Sequence, residues 1–251
     1  MGAWRANLTA RRAVALQTTR NVEKAFALYE KAYEMGCTDV YALAAYGVLL
    51  MRKRQPEKAV EVLKRGTKQP RIKPEQWGYL YQNLGLAYWL SGNLDRALRV
   101  YSRIYERLTT STVRGSYGFL LIAKGDETGD YEKAKAFNEE ALAYDDEDPI
   151  ILDNMGQLCY RLGDMERAEQ LFEKALSVRP TQFDSLVYLA RIRIAQGRTD
   201  EAREMLEKAL NKEYSAFSTV KRELAVELAA SIGLEDPQAG AAADSASPDE
   251  A

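Results

Sequence analysis

Apolar and small residues recur along this chain at helical spacing, in short segments that are separated by polar loops. Leu152, Met155 and Cys159, for example, lie three and four positions apart, and this spacing places side chains on one face of an α-helix. The first residues of the loops are Arg20, Arg54, Gly92, Gly129, Gly163 and Gly197. The pattern predicts a series of helical pairs, each joined by one of these loops.

The loops define an internal period. The last three loop glycines are 34 residues apart, as are Arg20 and Arg54. An acid follows three positions after each first loop residue, where a carboxylate in the first turn of the second helix interacts favourably with the helix dipole. The loop glycines suit a left-handed end to the first helix. Each unit also has an alanine five positions into the loop, and its small side chain allows two helix backbones to approach closely: Ala25, Ala59, Ala97, Ala134, Ala168 and Ala202.

A 34-residue period with this arrangement of large and small residues resembles the tetratricopeptide repeat (TPR), a helix-turn-helix unit. The resemblance covers residues 6–216 and gives six units: 6–39, 40–73, 78–111, 115–148, 149–182 and 183–216. It implies an all-α fold, a right-handed α-solenoid of stacked helical hairpins. Short inserts, residues 74–77 and 112–114, flank the third unit.

The C-terminal end departs from the repeat. Residues 217–232 are predicted to form a capping helix, since Val220, Leu224 and Leu228 recur at helical spacing and solenoids commonly end in a cap. We therefore assign residues 1–232 to one TPR solenoid with its cap. Residues 233–251 contain five acids and no basic or aromatic residue, and this composition predicts a disordered acidic tail.

Composition excludes several kinds of catalysis. The chain has no histidine and two cysteines, so it cannot supply a Ser-His-Asp triad, a Cys-His dyad or a histidine metal site. Cys37 and Cys159 cannot form a cysteine-rich zinc site on their own, and we expect both to be reduced, buried thiols. Since there is also no nucleotide-binding loop or recognisable acid/base pair, we predict no enzyme activity, no cofactor and no metal.

The TPR resemblance implies a binding function. In that family, fixed positions of each first helix line a concave groove, so we expect a non-enzymatic scaffold or adaptor that binds a peptide or helix of a partner protein. Aromatic anchors and amides suit this role, and Asn83 and Asn154 can hold a bound backbone by donor and acceptor. The alternative is that these aromatic residues pack between adjacent repeats. The predicted groove residues are Tyr41, Tyr79, Gln82, Asn83, Trp89, Phe119, Asn154, Gln157, Tyr160, Tyr188 and Arg191.

The formal net charge of −2 conceals a strong asymmetry. Residues 1–125 carry 21 basic and 9 acidic side chains, which is +12, and residues 126–251 carry 14 and 28, which is −14. This leaves open the alternative that the basic N-terminal half binds nucleic acid or an anionic membrane surface. A homo-oligomer through a terminal repeat also stays open. We expect a cytoplasmic protein, or a membrane-associated one if an anchor precedes this chain.

Overall fold

The computed structural model describes residues 2–212 and 214–238, and these residues form α-helices without any strand. The chain divides into two compact units, Met1–Thr128 and Gly129–Ala251. The boundary falls between the two helices of the predicted repeat 115–148. The assignment of residues 1–232 to a single solenoid domain therefore stays a prediction.

The first unit contains seven helices in its described residues. Neighbouring helices pack in chain order as hairpins, and the first helices of successive hairpins also touch one another. The helices are α1 (Gly2–Thr18), α2 (Val22–Glu34), α3 (Val40–Arg52), α4 (Pro56–Thr67), α5 (Pro74–Leu90), α6 (Leu94–Tyr105) and α7 (Ser111–Thr128).

The second unit repeats this arrangement in six helices of the described chain. Here α9 packs against α8, α10 and α11, while α13 packs mainly against α12 and also reaches α11. The helices are α8 (Glu132–Tyr144), α9 (Pro149–Leu162), α10 (Met165–Val178), α11 (Phe183–Ala195), α12 (Thr199–Leu210) and α13 (Arg222–Ser231).

Small residues set the distance between the two helices of a hairpin. The six repeat alanines are at most 1% exposed, which confirms their predicted place at the close contact. In the third and fifth repeats, a glycine of the first helix faces an aromatic ring of the second helix: a Cβ at Gly156 would approach the Phe172 ring to 2.7 Å, and one at Gly85 would approach the Tyr101 ring to 2.5 Å. Such distances are too short for carbon atoms, so only glycine fits without displacement of the ring.

The turn between paired helices requires a left-handed residue. Gly163, for example, has φ 85° and ends α9, as the sequence predicts for a helix C-terminal cap. Arg20 and Arg54 occupy the same loop position in the first two repeats and also have positive φ, 61° and 56°. The repeat thus imposes this backbone conformation even where a side chain makes it unfavourable.

Two departures from the regular repeat have local causes. The inserts 74–77 and 112–114 extend the N-terminal ends of α5 and α7 rather than forming loops. In α5, Pro74 occupies the first helical position and the Gln76 side chain accepts a hydrogen bond from the Lys73 amide at 3.2 Å. Both features favour a helix start.

The capping helix is shorter than predicted, because α13 begins at Arg222 rather than at residue 217. The first part of the predicted acidic tail, residues 233–238, lies against the cap. The Asp236 carboxylate pairs with both terminal nitrogens of Arg222 at 2.7 Å, and the Gln238 amide donates to the Leu210 carbonyl at 3.2 Å. Disorder predicted for residues 233–251 therefore does not apply to these six, and residues 239–251 lie outside the described residues.

Candidate functional site

Two tyrosines on adjacent repeats form an exposed pair in the first unit. Tyr41 near the start of α3 is 50% exposed and Tyr79 near the start of α5 is 37% exposed. Their rings stack with centroids 5.7 Å apart. Partial burial and the neighbouring Tyr41 raise the pKa of the Tyr79 phenol, so this ring is a neutral aromatic surface at physiological pH. The pair offers a flat apolar contact with polar hydroxyl tips.

The same face of α5 continues toward α7. Asn83 lies one turn beyond Tyr79, and its side-chain amide donates to the Tyr79 carbonyl at 2.7 Å. Further along α5, Trp89 makes an edge-to-face contact with Phe119 of α7 at a centroid distance of 5.0 Å. We call the surface formed by Tyr41, Tyr79, Asn83, Trp89 and Phe119 the aromatic face.

Gln82 lies beside the aromatic face but bonds to its own helix. Its side-chain amide donates to the Gly78 carbonyl at 3.2 Å, and the residue is half-buried. The structure therefore pairs Tyr41 with Tyr79 near the start of α5 and Trp89 with Phe119 near its end, and Gln82 and Asn83 lie between the two pairs in the α5 sequence. Their role in binding remains a proposal.

Three predicted groove residues of the second unit are not exposed, which corrects the expectation that they are open to a ligand. Asn154 is 2% exposed, Gln157 is 1% exposed and Tyr188 is 8% exposed. Residues 151–159 are all buried, because α9 packs against three other helices. Tyr188 stacks on the Phe172 ring at 5.4 Å, so it packs between the repeats, as the alternative interpretation stated.

Tyr160 and Arg191 remain at the surface of the second unit. The Tyr160 ring meets Tyr188 edge to face at 5.2 Å, and the Arg191 guanidinium lies 5.3 Å from the centre of the Tyr160 ring. Arg191 is exposed and Tyr160 is half-buried. These two residues are accessible at the edge of a packed aromatic cluster rather than on an open aromatic surface.

A buried polar network on α9 and α11 joins the predicted groove residue Gln157 to two carboxylates, Asp153 and Asp184, that the predicted site does not include. Asp153 is 3% exposed and Asp184 is 8% exposed. The Asp153 carboxylate accepts from the Gln157 amide at 2.7 Å and lies 2.5 Å from the Ser185 hydroxyl oxygen. One signal was present in the sequence, because Asp153 interrupts the apolar start of α9.

Residues from the connection between α12 and α13 complete this network. Gln157 donates to the Thr219 hydroxyl at 3.0 Å, and the Asp184 carboxylate accepts from the Thr219 amide at 2.8 Å. Asp184 also bonds to the hydroxyls of Ser218 and Thr219. These bonds hold Ser218 and Thr219 away from a helical path, which explains why α13 begins after them.

Two of the lysines that make the N-terminal half basic are paired with acidic side chains. Lys53 forms an ion pair with Glu23 at 2.9 Å, and Lys58 forms one with Glu30 at 2.7 Å. Arg52 is exposed. The nucleic-acid and membrane-surface alternatives stay predictions, since this arrangement favours neither.

Both cysteines are buried free thiols, and burial raises the pKa of each. Among the described residues, no group of three His, Cys, Asp or Glu side chains is arranged to hold a metal ion. A membrane-spanning helix would need a longer apolar stretch than any helix in residues 2–212 and 214–238 provides.

Two family models match the chain. One describes the tetratricopeptide repeat and matches residues 45–111, and the other describes the middle TPR-like domain of cilia and flagella-associated protein 70 and matches residues 119–242. The chain matches no curated protein in sequence.

Solved TPR structures are similar to this fold. TTC0263, a TPR protein of Thermus thermophilus, is 19% identical, with 78% of this chain and all of that one covered and a TM-score of 0.61. PilW, a type IV pilus biogenesis factor, is 16% identical over 82% of this chain and 93% of its own, with a TM-score of 0.63. YrrB, a TPR protein with an unusual peptide-binding site, is 20% identical over 71% of this chain and 88% of its own, with a TM-score of 0.53.

Helical hairpins of this period, with buried alanines and left-handed turns, define an all-α protein of the TPR solenoid class. The chain belongs to the tetratricopeptide-repeat family. Proteins of this family are in general non-enzymatic modules that bind protein or peptide partners, and the fold is that of a protein-interaction scaffold.

Proposed function

We propose that this protein is a non-enzymatic adaptor that binds an extended segment of a partner protein on the aromatic face. The exposed stack of Tyr41 and Tyr79 carries the proposal. Large aromatic rings at an open surface are the usual anchors of protein interfaces, because they bury much apolar area at little conformational cost. The peptide-binding site of YrrB, a structural neighbour, is consistent with this use of the fold.

Charge indicates which partner segment suits this unit. Residues 1–128 carry 21 basic and 11 acidic side chains, a formal charge of +10. Arg52, the last residue of α3, is exposed. Its positive charge is close enough to the Tyr79 phenol to lower the pKa of that phenol, although burial and Tyr41 have a larger, opposite effect. An acidic segment with aromatic or aliphatic anchors would gain both ring contact and long-range attraction.

Binding of an acidic peptide library to the full chain tests the proposal. We expect selected peptides to lose at least about tenfold in affinity when both Tyr41→Ala and Tyr79→Ala are introduced, and to bind more weakly as ionic strength rises. Tyr144→Ala is the matched control, since Tyr144 is 55% exposed and lies on α8 in the other unit. Equal losses from the control and the double variant would contradict an aromatic-face site.

A further inference from the structure

The connection between α12 and α13 is long for this repeat. It comprises residues 211–221, whereas the connection between α10 and α11 comprises residues 179–182. We call its described core, residues 214–220, the inner segment. Its length allows the chain to leave the regular hairpin path and reach helices of two earlier repeats.

The inner segment bonds to side chains of both α9 and α11. Thr219 is the bridging residue: its hydroxyl accepts from Gln157 of α9 at 3.0 Å, and its amide donates to Asp184 of α11 at 2.8 Å. The hydroxyl of Ser218 also bonds to Asp184. Gln157 and Asp184 both occupy positions that line the groove in TPR proteins, so the segment lies where this fold usually receives a ligand.

The ends of the inner segment are also anchored. The Tyr214 ring meets Phe183 edge to face at 5.2 Å, and the Tyr214 hydroxyl donates to the Val220 carbonyl at 2.9 Å. Val220 is 6% exposed. The inner segment therefore packs against the helices at both ends, through the Tyr214 ring at one end and the buried Val220 side chain at the other.

The polar face beneath this segment requires hydrogen-bond donors. A buried carboxylate without donors is strongly unfavourable, and Ser218 and Thr219 supply an amide and two hydroxyls to Asp184. An apolar occupant would leave Asp184 without them. The face therefore selects an extended segment with adjacent hydroxyl-bearing residues.

We propose that the inner segment is an intramolecular ligand that closes this polar face, and that a partner segment with adjacent Ser and Thr residues binds there when the inner segment is released. The proposal goes beyond the aromatic-face function proposed above, because it assigns a second ligand-binding face, in the second unit, and its regulation. Because the inner segment is tethered, its effective concentration is high, on the order of millimolar. A partner therefore binds well only when the internal contact is weakened or the partner is locally concentrated.

A labelled peptide with the sequence of residues 211–221 serves as the probe, and the full chain serves as the receptor. We expect the Ser218→Ala, Thr219→Ala double variant to bind the probe at least about tenfold more tightly than the unmodified protein, because its own segment competes less well. A probe with the same two substitutions should not bind. Ser215→Ala is the matched control, since the Ser215 hydroxyl accepts a hydrogen bond from the Phe217 amide of the same segment at 3.1 Å and makes no bond to α9 or α11 among the described residues.

Equal binding of the probe by the unmodified protein and the double variant, or binding by neither, would overturn the proposal. A second measurement avoids any dependence on the folding of the variant. In the unmodified protein, excess probe should speed hydrogen exchange of the Thr219 amide at least about tenfold in NMR spectra, while the Thr38 amide, which donates to Asn7 in the first unit at 2.9 Å, stays unchanged. An unchanged Thr219 rate also overturns the proposal. Since neither readout involves the aromatic face, failure here is distinct from failure of the proposed function.

Discussion

The buried carboxyl group of Asp153 should make the stability of the second unit depend on pH. Burial, and next the proximity of Asp184, raise the pKa of Asp153 from 3.8 to about 7. In the unfolded chain the group returns to its ordinary pKa. Between these two values the folded protein holds a proton that the unfolded chain has released, so stability falls as pH rises through this window and levels off above about pH 7.

The size of the effect follows from the two pKa values. Each pH unit inside the window changes the free energy of unfolding by about 1.4 kcal/mol, so the change from about pH 5 to about pH 8 is a loss of about 3 kcal/mol. The substitution Asp153→Asn should remove the Asp153 part of this pH dependence, whereas Asp184, whose pKa burial also raises, keeps its own part. An asparagine keeps the volume, and its side-chain oxygen can still accept from the Gln157 amide. Its nitrogen replaces the carboxyl oxygen that accepts from the Ser185 hydroxyl, and it can donate to the oxygen of that hydroxyl instead.

Urea denaturation at several pH values, followed by far-ultraviolet circular dichroism, measures this slope. Tryptophan fluorescence provides a reference for the first unit, because Trp4, Trp77 and Trp89 are the three tryptophans of the sequence and all lie in residues 1–128. Asp146→Asn is the control, since that carboxylate is exposed and lies in the same unit as Asp153. Parallel pH slopes for Asp153→Asn and the unmodified protein would refute the reasoning.

Three further substitutions test the repeat geometry and the cap. Gly156→Ala should lower the free energy of unfolding by about 1 to 3 kcal/mol through overpacking, since the new Cβ would meet the buried Phe172 ring at 2.7 Å; an unchanged urea midpoint would show that the ring can move. Arg54→Gly should raise the midpoint, with a gain of about 1 kcal/mol, because it relieves a left-handed backbone, and a lower midpoint would contradict this. The ion pair with Arg222 lowers the pKa of the Asp236 carboxyl group below its ordinary value. The pair therefore stabilises the folded chain at pH values above the ordinary pKa of an aspartate, and this stabilisation is lost as the pH falls through the lowered pKa of Asp236. Arg222→Ala should therefore raise the Asp236 pKa in a carboxyl NMR titration, and an unchanged titration would show that the pair is not formed in solution.

The aromatic face shows how far the repeat pattern could predict a site. Tyr41 and Tyr79 are exposed and adjacent because each stands at the same position of successive first helices, and the stacking of hairpins brings equal positions together. The same argument was wrong for Gln157 in the second unit. Its accessibility depends on Thr219, which lies 62 residues further along the chain, and no periodic pattern specifies that contact.

The sequence by itself determined the helical pairs, their 34-residue period, the left-handed turns and the alanines at the close contacts. All of these follow from short-range sterics and spacing, since a repeat packs mainly against its neighbours. Tertiary structure alone decided which predicted groove positions are exposed and where the cap begins. The reason is that the burial of Asp153 and Asp184 requires donors from a distant, irregular segment, and such long-range hydrogen bonding depends on three-dimensional proximity rather than on local pattern.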